Sequence, residues 1–454
     1  MPRIAKKKEI KEEIKSWREK SAKIFARLRG MKDILPDEYK YWNLVIKKAT
    51  ELAKIYSFIR METPILEAQE LYERATGKSS DIVTKEMFTF IDKNGDKVAL
   101  RPEATPGIAR AYIEHGMFNL PQPIKIFWFG PVFRHDKPQA GRFRQFSQIN
   151  LETIGEASPV ADAELIIVAY NFFRELQIEV VVQVNSLGCP QCRPAYLAKL
   201  EEYYSQRGKR ARLCQECKKR LVKNSLRLLD CKEKPCLELA SEAPQIVDSL
   251  CDDCRNHFIR VLEYLDELEV AYNLNPYLVR GLDYYNRTVF EIWPVASEGQ
   301  SEELGRQSAL GGGGRYDGLI EYLGGRPTPA SGLAIGIERV IIKIKEKNIP
   351  LKSEETADLF LAQLGEQARK KAMQLFEELR RAGFNIRQVL TKDSLKSQLE
   401  VANRLGVKYS LILGQKEIVD GTILIRDMES GIQEVVAYKK VRPEIGKRLN
   451  NNLK

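Results

Sequence analysis

The chain has 454 residues, 43% of them hydrophobic and 30% charged, with a net charge of +11. That length suits two or three domains around a large core. No apolar run of 18 or more residues and no signal-peptide core is present, which predicts a cytoplasmic protein that neither spans a membrane nor is exported. The charge is uneven: residues 1–29 hold eleven Lys/Arg against four Glu, leaving only +4 on the rest, so bulk charge favours a polyanionic partner weakly.

In chain order, residues 1–29 form a basic extension in which Ile10, Ile14, Trp17, Ile24 and Leu28 share one face of a predicted amphipathic helix. Residues 30–186 mix helices and strands. "YWNLVIKKATELAKIYSF" (41–58) has helical apolar spacing, and "EMFTFID" (86–92) and "KVALRPE" (97–103) read as strands about a turn at Asn94-Gly95. "IKIFWFGPVFRH" (124–135) and "RQFSQINLETIG" (144–155) read as two strands joined by a polar loop. Period 2 puts Phe146, Gln148, Asn150 and Glu152 on one face of the second. With Arg134, Arg142 and Arg144 around the same hairpin, these residues suit an anionic ligand that also carries a positive group.

Residues 187–272 read as a helical insertion holding all eight cysteines in four close pairs: Cys189/Cys192, Cys214/Cys217, Cys231/Cys236 and Cys251/Cys254. Such spacings are those of structural zinc sites, and disulfides are the less expected use in a cytosolic chain. The competing reading is a set of buried thiols without metal. Four pairs can build two sites of four thiolates each, and spacing does not say which pairs join. A closed shell of four thiolates leaves no open coordination position, so a structural role away from the chemistry is expected.

Residues 273–345 return to strands. "VRGLDYYNRTVFEI" (279–292) puts Arg280, Gly281, Asp283, Tyr284 and Tyr285 directly before a β-branched, aromatic run. "LGGGGRYDGL" (310–319) fits neither a P-loop nor G-x-G-x-x-G. Glycines inside a strand instead mark close approach by a ligand or another backbone. "SGLAIGIERVIIKI" (331–344) turns from strand to helix. A linker is expected at 346–356, and residues 357–454 alternate as an α/β unit.

These segments resemble the histidyl-tRNA synthetases of bacterial type, a family of class II aminoacyl-tRNA synthetases. "METPILE" (61–67) resembles class II motif 1, "FRHDKPQAGRFRQF" (133–146) motif 2 and "GLAIGIERV" (332–340) motif 3. "RGLDYYNRTVFE" and "GGGGRYDGL" resemble the two histidine-specific signatures. The resemblance runs from about Gly30 to Tyr438 and leaves out the leader. Ser147 stands where many members carry His, and Asn150 where many carry Gly.

The resemblance implies an α+β fold. A class II antiparallel sheet of six strands with flanking helices would form a catalytic domain in two parts, 30–186 and 273–345. The Cys-rich insertion 187–272 would interrupt it, and an α/β anticodon-binding domain (357–454) would follow in a homodimer. It also implies ATP-dependent attachment of L-histidine to tRNA(His) through a histidyl-adenylate, with Mg2+ accompanying ATP and AMP and diphosphate released. Arg134 and Arg280 would be the catalytic cations. ATP would be held by Arg134, Arg142 and Arg339. Histidine would be held by Glu103, Ala104, Thr105, Arg134 and Gln148 around its charged groups. Glu152, Arg280, Tyr284, Tyr285 and Tyr316 would surround the rest. The resemblance does not supply the zinc. Two other readings compete: a non-aminoacylating paralogue, such as the regulatory subunit of histidine biosynthesis, and a zinc-stabilised nucleic-acid-binding protein. The presence of residues 357–454, with Arg280, Glu152 and Arg134 intact, counts against the first, and intact motifs 2 and 3 against the second.

Overall fold

Strand-forming runs that are apolar on both faces need cover on both sides, and Ile124–Phe133 is such a run, with Ile126, Phe127, Trp128 and Val132 all buried. In the computed structural model, which describes residues 25–77, 80–136, 141–295, 309–351 and 357–451, this strand lies in an eight-stranded sheet. The order is Ile59–Arg60, Ile124–Phe133, Gln145–Ile154, Ala330–Gly336, Gly311–Arg315, Asn286–Pro294, Val180–Ser186, Tyr272–Leu274. The six inner strands pair antiparallel, and the outermost strand at each edge pairs parallel. The expected six-stranded sheet is thus the centre of a wider one. Its edge strands span two and three residues, too short to show a period in sequence. Most of the leader helix and the centre of the motif 2 loop lie outside the described residues.

Helix Pro36–Ile55 packs against Pro159–Glu175 and Ile337–Glu346, and these two pack on this sheet. Pro159–Glu175 starts as its sequence dictates: Ser158 Oγ accepts from Val160 N, and proline fills the first helical position. The hairpin Phe88–Ile91 and Lys97–Leu100 pairs with Leu66–Ala68 in a separate small sheet. Its turn falls at Asn94-Gly95, where Asp92 Oδ1 accepts from Asn94 N and Asp96 N and Gly95 takes φ +93°.

The insertion supplies helices Arg193–Ser205, Gln215–Lys223, Lys234–Ser241 and Asp252–Glu267. Its cysteines share one apolar cluster with Tyr196, Leu200 and Tyr204, and that cluster continues without a break through Tyr285, Tyr316 and Trp128. The insertion and the sheet therefore form one packed body, within the compact unit Met1–Pro350.

The second unit, Leu351–Lys454, has a five-stranded sheet ordered Ile386–Gln388, Leu359–Gln363, Tyr409–Leu413, Thr422–Asp427, Gln433–Ala437. The first three strands run parallel and the last two antiparallel to their neighbours. Leu359, Phe360, Leu361 and Ala362 are all buried, the continuous apolar run of a strand covered on both faces. Among the described residues no helix is long and apolar enough to cross a membrane.

Candidate active site

A cavity of about 660 Å³ opens in the first unit. The strand face anticipated from period 2 contributes Phe146, Gln148 and Asn150, the hairpin Arg134 and Arg142, and the signature segment Arg280, Tyr284 and Tyr285. Arg339 enters from the first turn of Ile337–Glu346.

Part of the cavity wall is rich in acceptors. Glu103, just before the helix Thr105–Glu114, accepts from the Tyr284 hydroxyl through Oε2 at 2.9 Å. Its Oε1 is buried without a donor among the described residues, as are Gln148 Oε1 and Asn150 Oδ1. Burial pushes the Glu103 carboxyl up to about 7, against the opposing pull of Arg134, the Tyr284 hydroxyl and Arg280. Buried acceptors left without donors are costly, and a cationic ligand removes that cost. The Tyr284 ring stacks near Tyr285 at 4.6 Å and Tyr316 at 5.7 Å.

Glu152 and Tyr316 lie behind this wall and are not among the residues lining the cavity. Glu152 is buried and accepts from Thr105 Oγ1 at 2.8 Å, Tyr316 OH at 2.6 Å and Asn150 Nδ2 at 3.2 Å. Thr105 lines the cavity in front of it. Ala104 is buried beside Thr105 at the start of the helix. Asn150, at the position where the family pattern often has Gly, thus serves both as a cavity residue and as a donor to Glu152.

The same wall carries cations, two of which, Arg134 and Arg280, stand near enough to pull on the Glu103 carboxyl. Arg134 Nε donates to Pro102 O at 2.9 Å, and its guanidinium lies 5.6 Å from the Phe146 ring centre. Arg142 pairs with Asp136 at 2.8 Å. Arg339 donates to Ala309 O at 2.5 Å and Gly141 O at 3.4 Å, beneath the motif 2 loop. Arg280 pairs with Glu291 at 2.5 Å. Gly312 explains part of the glycine run: a Cβ there would stand 2.8 Å from Arg280 Nη1 and 2.7 Å from Phe290 O. The close approach expected at these glycines is made by the chain's own arginine and by a neighbouring strand. Arg144 is not among the lining residues; its backbone N–H donates to Gly30 O at 2.8 Å.

Two acids escaped sequence reasoning. Glu291 ends the first histidine-like signature, and its place inside an apolar strand was the available signal. Glu338 accepts from Ser147 N at 2.8 and 3.0 Å, and burial pushes it up to about 7. It is the backbone of Ser147, not its side chain, that makes this contact.

The cysteines are all free thiols gathered in two groups, Cys189/Cys192/Cys251/Cys254 and Cys214/Cys217/Cys231/Cys236. Within the first, Sγ–Sγ separations of 3.8, 3.9 and 3.9 Å are seen, and Cys214–Cys231 is 3.9 Å. A tetrahedron with metal–sulfur bonds of about 2.3 Å has an edge of about 3.8 Å, so both groups fit a tetrahedral ion. The first pair joins the fourth and the second joins the third. Contrary to the expected remoteness from the chemistry, Cys214 and Cys231 line the cavity.

The family model for histidyl-tRNA synthetase matches residues 30–340, and one for an anticodon binding domain matches 340–448. A protein named histidine–tRNA ligase from Dehalococcoides mccartyi is 45% identical over 422 residues, covering 93% of this chain and 99% of the relative. One of the same name from Pelotomaculum thermopropionicum is 42% identical over 411 residues, covering 90% and 95%. The crystal structure of apo histidyl-tRNA synthetase from S. aureus aligns with a TM-score of 0.76 at 31% identity, over 93% of this chain and 99% of that one. Matches of this extent leave one assignment: the chain belongs to the histidyl-tRNA synthetase family.

Proposed function

We propose that this chain joins L-histidine to ATP as histidyl-adenylate with release of diphosphate, then passes the histidyl group to tRNA(His) with release of AMP. The observation that carries this reading is one cavity that combines orphaned buried acceptors (Glu103 Oε1, Gln148 Oε1) with the cations Arg134, Arg280 and Arg339. A zwitterionic amino acid and a triphosphate together need both kinds of group.

The first step needs no general base, because the attacking carboxylate is ionised at pH 7. It needs stabilisation of charge on a crowded pentavalent phosphorus. Arg134 and Arg280 supply it, and Arg142 and Arg339 hold the triphosphate and adenine end, since guanidinium is always charged and forks onto two oxygens. ATP arrives with Mg2+, which neutralises part of the triphosphate; Glu291 and Glu338 are carboxylates on this wall of the kind Mg2+ accepts.

Glu103, Thr105 and Gln148 receive the substrate ammonium, with Ala104 fixing the chain between the first two. Neutral imidazole donates at one nitrogen and accepts at the other. Tyr284 and Tyr285 cover the ring, and Glu152, held by Tyr316, is its acceptor behind Thr105. Zn2+ in each cysteine group would be structural, held by four thiolates. The working protein is a cytoplasmic homodimer; the exposed apolar side chains Ile59, Leu66 and Ile91 around motif 1 and the small sheet support its dimeric part. A paralogue without tRNA charging is disfavoured by the anticodon-binding match.

The test is ATP–diphosphate exchange by the full-length chain with each amino acid in turn, followed by charging of tRNA(His). Exchange stimulated by histidine alone is expected; exchange indifferent to histidine would overturn the reading.

A further inference from the structure

We propose that the two cysteine centres, loaded with metal, set the shape of the segment Arg280–Asn286 and thereby the affinity for histidine. This rests on the zinc reading above. The segment runs without regular structure from Leu278 to Tyr285, between a turn and the strand Asn286–Pro294. Its backbone carbonyls therefore lack sheet partners over most of its length, and a carbonyl at a cavity wall needs a donor from elsewhere. Side chains next to or between the cysteines supply donors to this segment, one set from each centre, to the carbonyls of Tyr285 and Gly281 and to the Asp283 carboxylate.

From the first centre, Arg193 follows Cys192 directly. Its guanidinium donates to Tyr285 O at 2.7 Å and to Leu187 O at 2.9 Å. The backbone is stitched to the same place, with Leu187 N donating to Arg287 O at 2.6 Å and Arg287 N to Gly188 O at 2.9 Å. Pinning Cys189 and Cys192 to Cys251 and Cys254 fixes the position from which Arg193 reaches.

From the second centre, the chain between Cys217 and Cys231 carries the other grip. Asn224, at the end of the helix Gln215–Lys223, donates to Asp283 Oδ1 at 2.8 Å. Arg227 donates to Gly281 O at 3.2 Å and pairs with Asp81 at 3.0 Å. Arg220 braces Arg227 by donating to its carbonyl at 3.0 Å. A metal bridging Cys214/Cys217 to Cys231/Cys236 closes this run into a loop and restricts where Asn224 and Arg227 can stand. Without the ion, four neighbouring thiols provide only weak contacts to do so.

The two grips bracket Tyr284, the residue that donates to Glu103 and packs on Tyr285 and Tyr316. Of the phosphate-facing cations, Arg134 and Arg339 sit on the hairpin and on the Ile337–Glu346 helix, outside the clasp, and Arg280, at its start, is held by Glu291 of the strand Asn286–Pro294. Metal occupancy should therefore register in histidine binding much more than in ATP binding, and Asn224, Arg227 and Arg193 are positioning residues.

The experiment uses the full-length chain, with zinc counted by elemental analysis and KM for histidine and ATP measured by diphosphate exchange. Three samples are compared: metal-replete protein, protein stripped by a zinc chelator, and the metal-replete variant Arg227→Ala. Arg227→Ala should keep its zinc and raise the histidine KM about tenfold or more, the scale of one lost charged hydrogen bond, with the ATP KM within about twofold. Arg227→Lys should recover part of the loss. Stripping should reproduce the histidine-selective pattern, and Arg227→Ala should add little in stripped protein. Because stripping can unfold the insertion, the variant carries the test alone if it does. An unchanged histidine KM in zinc-replete Arg227→Ala, or equal loss for both substrates, overturns the coupling and leaves the zinc reading standing. Protein purified without chelator that contains no metal overturns both, and the elemental count distinguishes the two failures.

Discussion

The hydroxyl of Tyr316 donates to Glu152 Oε2 at 2.6 Å, and Gly332 passes so close that any side chain there would overlap the same carboxylate oxygen. Strand Ala330–Gly336 thus closes over an acid on strand Gln145–Ile154, its direct partner in the sheet, with Gly332 opposite Glu152. Burial pushes Glu152 up to about 7 even though Tyr316, Thr105 and Asn150 all donate to it.

Replacing this acid tests its place in recognition. Glu152→Gln exchanges an acceptor oxygen for an NH2 group in a pocket already filled with donors. The histidine KM should rise by about tenfold or more, with little change for ATP, because a buried donor of the imidazole loses its partner. Steady-state diphosphate exchange with each substrate varied separately gives the answer. Equal weakening of both would remove Glu152 from the histidine pocket.

How far the sequence reaches is visible along this same strand. Period 2 put Phe146, Gln148, Asn150 and Glu152 on one face, and the first three do line the cavity. Period 2 carries no depth, and Glu152 disappears under Gly332. The cysteine spacings named the pairs but not which pairs join, since the approach of Cys189 to Cys251 is tertiary. Edge strands of two and three residues are below the length at which a pattern exists. The clasp of Arg227 on Asp81 spans 146 positions, and neither residue belongs to a motif. What was legible is chemistry concentrated in contiguous stretches; what was not is the approach of one stretch to another.

Glu103 predicts a pH dependence. Its carboxyl is raised by burial from an ordinary 4.5 to about 7. A raised carboxyl binds its proton more tightly in the folded state. Its stabilising contribution is therefore complete below about 4.5 and lost as pH rises through about 7. Bound histidine offers an ammonium to the ionised form, so the stabilisation it confers should grow over that same rise. The thermal shift produced by saturating histidine should be larger at pH 8 than at pH 6. In Glu103→Gln the difference should shrink to what the titration of histidine itself causes. An unaltered pH profile in that variant would take Glu103 away from the ammonium.

The cysteine geometry predicts two zinc ions per chain. Elemental analysis of protein purified without added zinc or chelator should find about two, and Cys254→Ser should lower the count toward one while Cys217→Ser does the same independently. Chelation should lower thermal stability, because ion binding to a preformed four-thiolate site adds to folding free energy. A count well below one in the unaltered protein would mean that the thiols, for all their tetrahedral spacing, hold nothing.

Arg280 predicts which half of the reaction its segment serves. The guanidinium is engaged by Glu291 at 2.5 Å, and its Nε is buried without an acceptor among the described residues. A pair of this kind orients the cation while leaving part of its donor set for a ligand, and Gly312 lets the guanidinium pack against the neighbouring strand. If Arg134 is committed to the substrate carboxylate, the α-phosphate needs a second cation, and Arg280 stands within the same cavity to supply it. Its neighbours Tyr284 and Tyr285 line the amino-acid end, so one short element joins identity to phosphate stabilisation. Arg280→Ala should slow histidyl-adenylate formation by on the order of 10²–10⁴, the scale of one preorganised contact to developing charge. Transfer from preformed adenylate to tRNA should change much less. Rapid-quench measurement of the two steps separates them, and a variant with normal activation and slow transfer would move Arg280 into the second half-reaction.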